Sequence, residues 1–124
     1  SDNPPDPLPR LAEAYAHRTL GLANGPREKE IVLQALRIGE VGITSIPCEV
    51  LCEIGLTIKA NSPLPQSTFT IELANGHNGY LPTPRQHAMS GYETWMGTCT
   101  LEITASVKIQ KVLMEMLEKV ALKD

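Results

Sequence analysis

Aromatic side chains are scarce in this sequence, making up 4% of its 124 residues. Valine, isoleucine, leucine and methionine must therefore fill most of any hydrophobic core. No apolar run approaches the roughly 18 residues that a membrane-spanning helix needs, so we expect no transmembrane segment. Basic residues do not cluster along one face and the formal net charge is only −3, so nothing in the sequence indicates a nucleic-acid partner.

A disulfide framework is also missing from the sequence. Cys48, Cys52 and Cys99 are an odd number of cysteines, and disulfide-stabilised domains carry them in even numbers. Cys48 and Cys52 could share a helical face, but a structural zinc site needs a second pair of ligands. We therefore interpret the cysteines as small buried hydrophobic residues.

What the sequence does contain is enough apolar material, 42% of its residues, for one modest core. We expect residues 1–124 to form a single domain or a fragment of one. Residues 1–9 hold four of the ten prolines, which indicates an extended arm. This arm lacks the basic and apolar regions of a signal peptide.

The first half of the chain predicts a helix followed by a hairpin. Apolar residues at helical spacing indicate a helix from Leu8 to about Leu22. Two β-rich segments, Glu30–Ile38 and Val41–Ile46, flank a tight turn at Gly39-Glu40 and predict a β-hairpin. Pro47 should end the second strand, because proline cannot donate to the ladder of hydrogen bonds.

The second half predicts two helices and one strand around a long loop. We expect a helix at Cys48–Lys59, a strand at Thr68–Leu73, a loop over residues 74–100, and a helix from a Thr104 cap to about Leu122. The apolar stripe of the last helix should consist of Val107, Val112, Leu113, Met116, Leu117 and Val120. The sequence thus predicts an α+β fold, a mixed β-sheet covered by helices in the order helix, hairpin, helix, strand, long loop, helix.

Two segments carry most of the candidate chemistry. The stretch from Ala74 to Trp95 contains two histidines, two tyrosines, one arginine and one glutamate, and it follows a predicted strand, where sites are often built. An ordered surface loop would explain the same composition. Glu49 lies at the start of the predicted Cys48–Lys59 helix, where it either interacts with the helix dipole or has a role in a site.

Together these segments resemble the neutral ceramidases. Pro47-Cys48-Glu49, with Gly55 and Lys59 at the expected spacing, resembles their Pro-Gly-Glu helix motif, although that family has glycine where this chain has Cys48. The segment after the strand resembles a second family motif without a gap, and its stretches 79–84 and 91–95 look closer still to bacterial ceramidase-like proteins. The matching residues of the second motif are Asn75, Tyr80, Thr83, Tyr92 and Glu93. The resemblance covers residues 30–122.

The resemblance implies a function and a set of site residues. It implies the C-terminal segment of a zinc-dependent amide hydrolase, secreted or periplasmic, that acts on N-acyl sphingosine or another N-acyl substrate in sphingolipid metabolism. Glu49 and Tyr80 match zinc ligands, and Tyr92 matches a tyrosine that stabilises the tetrahedral intermediate. The family's zinc-binding histidines, its serine nucleophile and an arginine have no counterpart here, so we expect the chain alone to be inactive.

Three further residues are candidates for supporting roles. His77 lies three residues before Tyr80 and could bind zinc or hydrogen-bond a ligand, of which we favour the second. Asn75 and Glu93 are placed around the site by the family motif, whereas Arg85 and His87 are interpreted as surface residues. The expected partners are an upstream part of the same protein, or a second copy, and a lipid-like N-acyl substrate. The alternative function is a non-catalytic binding or association domain that has kept the fold.

Overall fold

The computed structural model describes residues 7–64 and 67–122 of the chain. Ten elements follow one another: α1 (Pro7–Ala23), β1 (Gln34–Ile38), β2 (Val41–Ile46), β3 (Glu49–Val50), α2 (Cys52–Asn61), β4 (Thr68–Glu72), β5 (Tyr80–Leu81), α3 (Pro84–Met89), a 3-10 turn (Tyr92–Thr94) and α4 (Ala105–Ala121). The α+β fold predicted from the sequence is confirmed. Among these described helices, none is long and apolar enough to cross a membrane.

The strands form two small sheets. β2 is the central strand of the first, with β1 antiparallel on one side and β4 parallel on the other. The sheet is therefore mixed, and the predicted hairpin is confirmed as the β1–β2 pair. The second sheet consists of β3 and β5 alone, which run parallel and pair Glu49 with Tyr80 and Val50 with Leu81.

The core lies between the three-stranded sheet and helices α2 and α4. Ile54 and Ile58 of α2 pack there with Leu113 and Leu117 of α4, and all four are almost fully buried. Burying one such side chain stabilises the fold by roughly 1.5–3 kcal/mol. The predicted stripe of α4 is correct at Leu113, Leu117 and their partly buried neighbours, but it is wrong at two positions. The exceptions, Val107 and Val112, are exposed, and Ile109 and Ser106 are buried in their place.

The face of the three-stranded sheet that points away from the helices is apolar and uncovered by the described residues. Leu36, Ile38, Phe69 and Ile71 are each 45–67% exposed on it. The alternation in β4 turns its threonines inward, where the Thr70 hydroxyl lies 2.8 Å from that of Thr44. We call Leu36, Ile38, Phe69 and Ile71 the outer sheet face.

Several predicted boundaries are wrong, and each has a physical reason. The sequence predicts both an extended arm over residues 1–9 and a helix from Leu8. The structure begins α1 at Pro7, one residue before the predicted start, because proline is tolerated in the first turn of a helix. Residues 1–6 of the arm lie outside the described residues. The helix expected from Cys48 begins only at Cys52, because residues 49 and 50 pair with β5. The first strand begins at Gln34 rather than Glu30. The 74–100 loop contains β5, α3 and the 3-10 turn.

Candidate active site

Backbone pairing brings Glu49 and Tyr80 together, although they are far apart in the sequence. β2 ends at Ile46, and the chain turns through Pro47 into β3. The Glu49 amide donates to the carbonyl oxygen of Gly79 at 3.0 Å, and the Tyr80 amide donates to that of Thr98 at 3.2 Å. Glu49 therefore lies on a short strand, not in the first turn of a helix as the sequence suggested. Its side chain is positioned by strand pairing rather than by a helix dipole.

Gly79 is required by the backbone beside this pair. Its φ of +77° is in the left-handed region that favours glycine. A Cβ atom at this position would lie 2.6 Å from the carbonyl oxygen of Thr98, the same oxygen that accepts the Tyr80 amide. Any larger residue would push β5 away from residue 98, and Tyr80 would move with it.

The loop that carries His77 is tied to the end of β2. Asn78 is buried, and its side-chain amide donates to the Pro47 carbonyl oxygen at 2.8 Å. Before the loop, the amide of Leu73 donates to the carbonyl oxygen of Cys48 at 3.0 Å. Because these bonds hold both ends of the loop against residues 47 and 48, His77 is fixed close to Glu49.

Four side chains then lie next to one another in a line, with a hydrogen bond at each end. His77 Nε2 lies 3.0 Å from Glu49 Oε1. The Tyr80 hydroxyl lies near enough to the Glu49 carboxylate to lower its pKa, and the two residues pair across β3 and β5. The hydroxyls of Tyr80 and Tyr92 are 2.6 Å apart, and their rings meet edge to face with centroids 5.4 Å apart. We call His77, Glu49, Tyr80 and Tyr92 the site line.

Hydrogen bonding sets the charge of the central members of the site line. Bonds from Tyr80 and His77 lower the pKa of Glu49 from its ordinary 4.5, so the carboxylate is charged at neutral pH. The same bonding raises the pKa of Tyr80, because its hydroxyl is bonded to Tyr92 and to Glu49. At neutral pH the Glu49 carboxylate is therefore charged and the Tyr80 hydroxyl is protonated.

Helix α3 and the 3-10 turn place Tyr92 beside Tyr80. Thr83 caps α3: its side chain accepts from the Gln86 amide while the Gln86 side chain accepts from the Thr83 amide, a capping box. Six residues of helix follow, and Ser90 and Gly91 then turn the chain with positive φ values. Tyr92 begins the 3-10 turn with about half of its surface exposed. Part of its side chain is thus open to solvent, while its hydroxyl contacts that of Tyr80.

Asn75 and Glu93 have their described contacts outside the site line. The Asn75 amide nitrogen donates to Gln34 Oε1 at 2.7 Å, which ties its loop to β1. Glu93 follows Tyr92 in the 3-10 turn, and its carboxylate lies over Gly91. Of the three residues predicted to support the site, the structure places His77 in contact with Glu49.

Two residues predicted at the surface differ from each other in the structure. Arg85 is exposed and pairs with Glu53 across 3.2 Å. His87, in α3, is half-buried, and its Nε2 atom is buried without a hydrogen-bond partner among residues 7–64 and 67–122. The prediction of a simple surface histidine is therefore wrong for His87.

An apolar groove lies next to the 3-10 turn. It has a volume of about 580 Å³ and is lined by Leu11, Ala12, Tyr15, Thr19, Trp95 and Met96. The rings of Tyr15 and Trp95 meet edge to face, and the Tyr15 hydroxyl accepts from Thr98. Residue 98 also pairs with Tyr80, so the groove and the site line share one stretch of backbone. Sequence reasoning missed this groove, because it forms only where α1 packs against the turn.

The site line contains three kinds of group that can bind a metal ion: an imidazole nitrogen, a carboxylate and phenol oxygens. In the part of the chain that the structure describes, no three histidine, cysteine, aspartate or glutamate side chains converge on one point. A metal at this site would therefore also need the Tyr80 oxygen or ligands from outside these residues.

The chain matches no family model, and comparisons with curated proteins and with solved structures found no similar protein.

Proposed function

We propose that this chain is the C-terminal segment of a zinc-dependent amide hydrolase of the neutral-ceramidase type, acting on N-acyl sphingosine or another N-acyl compound. One observation carries the proposal. Glu49, Tyr80 and Tyr92 match two zinc ligands and the oxyanion tyrosine of that family, and they lie together: Glu49 pairs with Tyr80 across two strands, and the Tyr80 and Tyr92 hydroxyls are 2.6 Å apart. The resemblance implies that these residues share one site, and their closeness in the structure supports that implication.

The donors of the site line fit zinc. A charged glutamate and a phenol oxygen lie side by side at an exposed position, and zinc accepts oxygen and nitrogen ligands. Two protein ligands are fewer than the three that a catalytic zinc usually has, so at least one more must be added. A zinc ion held by Glu49 and Tyr80 would polarise an amide carbonyl of the substrate.

The chain's own residues would then do two things. The Tyr92 hydroxyl, 2.6 Å from Tyr80, would donate a hydrogen bond to the oxygen that becomes negative when the amide is attacked. The groove beside Trp95 would hold the apolar chain of the substrate, since it lies next to the turn that presents Tyr92. The nucleophile would come from another part of the protein, so we expect the isolated chain to be inactive.

Removing the Tyr92 hydroxyl tests this function in the complete protein. Tyr92→Phe should lower kcat on an N-acyl sphingosine by about 10²–10³-fold, as the loss of one oxyanion donor does, and leave the bound zinc unchanged. Metal analysis of both proteins provides the second readout. Full activity of Tyr92→Phe, or a complete protein that cleaves no N-acyl substrate, would refute the proposal.

The alternative is a non-catalytic association domain, and the outer sheet face favours it. Its four apolar side chains need a cover, which a second copy of the chain would provide. Sedimentation of the chain over a range of concentrations should then show a dimer that Phe69→Lys dissociates. Leu56→Lys, at an exposed position on α2, is the matched control. A monomer at every concentration would exclude this alternative.

A further inference from the structure

His77 is the member of the site line with the least structural reason for its position. Its side chain is 64% exposed, and its described polar contact is with Glu49, whose side chain is 31% exposed. An exposed ion pair of this kind contributes little to stability. The backbone next to His77 is nevertheless held by Asn78, whose side chain donates to the Pro47 carbonyl oxygen.

The distance between the two donor atoms suits a shared metal ion. Bonds of about 2.0–2.1 Å from a tetrahedral zinc to nitrogen and oxygen place the two ligand atoms about 3.3 Å apart. His77 Nε2 and Glu49 Oε1 are 3.0 Å apart, so a movement of a few tenths of an ångström would admit the ion. Tyr80 is paired with Glu49 across β3 and β5, which places its hydroxyl on the same side as the carboxylate as a third donor.

We propose that His77 is a zinc ligand, and that Glu49, His77 and Tyr80 together bind Zn²⁺ in this chain. This inference rests on the proposed function, but it assigns a ligand at a position from which the resemblance implies none. One nitrogen and two oxygen donors would give this chain alone the three protein ligands that a catalytic zinc usually has. The competing role for His77 is a hydrogen bond that only orients Glu49.

Zinc titration of the 124-residue chain separates the two roles. By calorimetry the wild type should bind one Zn²⁺. If His77 is a ligand, His77→Gln should bind zinc at least about 100-fold more weakly. Loss of a residue that only orients a ligand lowers metal affinity by about 100-fold at most. Glutamine can still donate a hydrogen bond to Glu49, so a purely orienting role predicts near wild-type affinity. His17→Gln is the matched control, since His17 is an exposed residue of α1 far from the site in the sequence.

Nitrogen NMR of the histidine rings provides a readout that does not depend on affinity. The chain has three histidines, so their signals are simple to assign. Zinc should shift the Nε2 resonance of His77 and leave those of His17 and His87 unchanged. Absence of zinc binding, or binding that leaves both the His77 resonance and the His77→Gln affinity unaffected, would overturn the inference.

These outcomes are distinct from failure of the proposed function. If Glu49→Gln abolishes zinc binding and His77→Gln does not, the hydrolase proposal stands and the ligand assignment falls. If His77 binds zinc but the complete protein cleaves no N-acyl substrate, the assignment stands and the proposed function falls.

Discussion

Replacing Gly79 with alanine is the sharpest test of how β5 is held against its neighbours. The variant places a Cβ atom 2.6 Å from the Thr98 carbonyl oxygen, at a φ of +77°. The left-handed backbone alone costs roughly 1–2 kcal/mol for a residue with a Cβ, and the contact with a backbone oxygen adds to it. We therefore expect Gly79→Ala to lower the free energy of unfolding by about 2–4 kcal/mol, which combines this cost with that of a forced backbone shift.

Urea denaturation followed by circular dichroism measures this loss, and Gly21→Ala is the matched control. Gly21 lies inside α1, and nothing is within 4 Å of an added Cβ there. Alanine should stabilise that helix by roughly 0.5–1 kcal/mol. The two substitutions are chemically identical, but we expect opposite effects on the free energy of unfolding, because only Gly79 has a positive φ and a backbone oxygen in the way. If Gly79→Ala unfolds within about 0.5 kcal/mol of the wild type, the range of a neutral surface change, the described pairing of Tyr80 with residue 98 is wrong.

Three further predictions concern charge, thiols and the groove. Because the pKa of Glu49 is lowered from 4.5, its bonds stabilise the fold above that pH and lose their effect as the pH falls below it. The stability difference between wild type and Glu49→Gln should thus shrink from about pH 6 to about pH 3, on either side of the glutamate pKa, and a constant difference would contradict this. Burial raises the pKa of Cys48 to about 11, so about one molecule in a thousand is a thiolate at pH 8. Ellman's reagent should therefore label exposed Cys52 rapidly, and Cys48 and Cys99 only after unfolding; three fast thiols would refute the buried placement. Trp95 is the only tryptophan, so a single-chain amphiphile below its micelle concentration should shift the emission to the blue. Met96→Lys should abolish the shift while Leu20→Lys, outside the groove, retains it, and equal shifts in both would exclude the groove.

The parts of the fold that the sequence predicted are those whose signal is local. The β1–β2 hairpin follows from two β-rich segments around a tight turn, and it is present. Strand β4 was predicted from its clean alternation, and it too is present at Thr68–Glu72. The sequence does not predict which of the alternating side chains of β4 point into the core, because that depends on which face of the sheet the helices cover. Here the threonines face α2 and α4, and Phe69 and Ile71 form part of the outer sheet face.

The parts that the sequence missed depend on contacts between distant segments. A strand of two residues has no periodicity, so the sequence predicts a helix that includes the residues of β3. The hydrogen bond from the Glu49 amide to the Gly79 carbonyl oxygen decides their conformation instead. The contact between His77 and Glu49 spans 28 residues and follows from the tie between Asn78 and Pro47. The burial of His87 Nε2 likewise depends on how α3 packs.

The central claim, a zinc-dependent amide hydrolase with Glu49 among its ligands, is tested most directly by one paired measurement on the complete protein. Bound zinc and the rate of N-acyl sphingosine cleavage are measured for the wild type, for Glu49→Gln and for Glu53→Gln. Glu53 is the same residue type four positions further on, and its described partner is Arg85 rather than a member of the site line. We predict that Glu49→Gln loses both the zinc and the activity, while Glu53→Gln keeps both. Zinc and activity that survive in Glu49→Gln would contradict the claim.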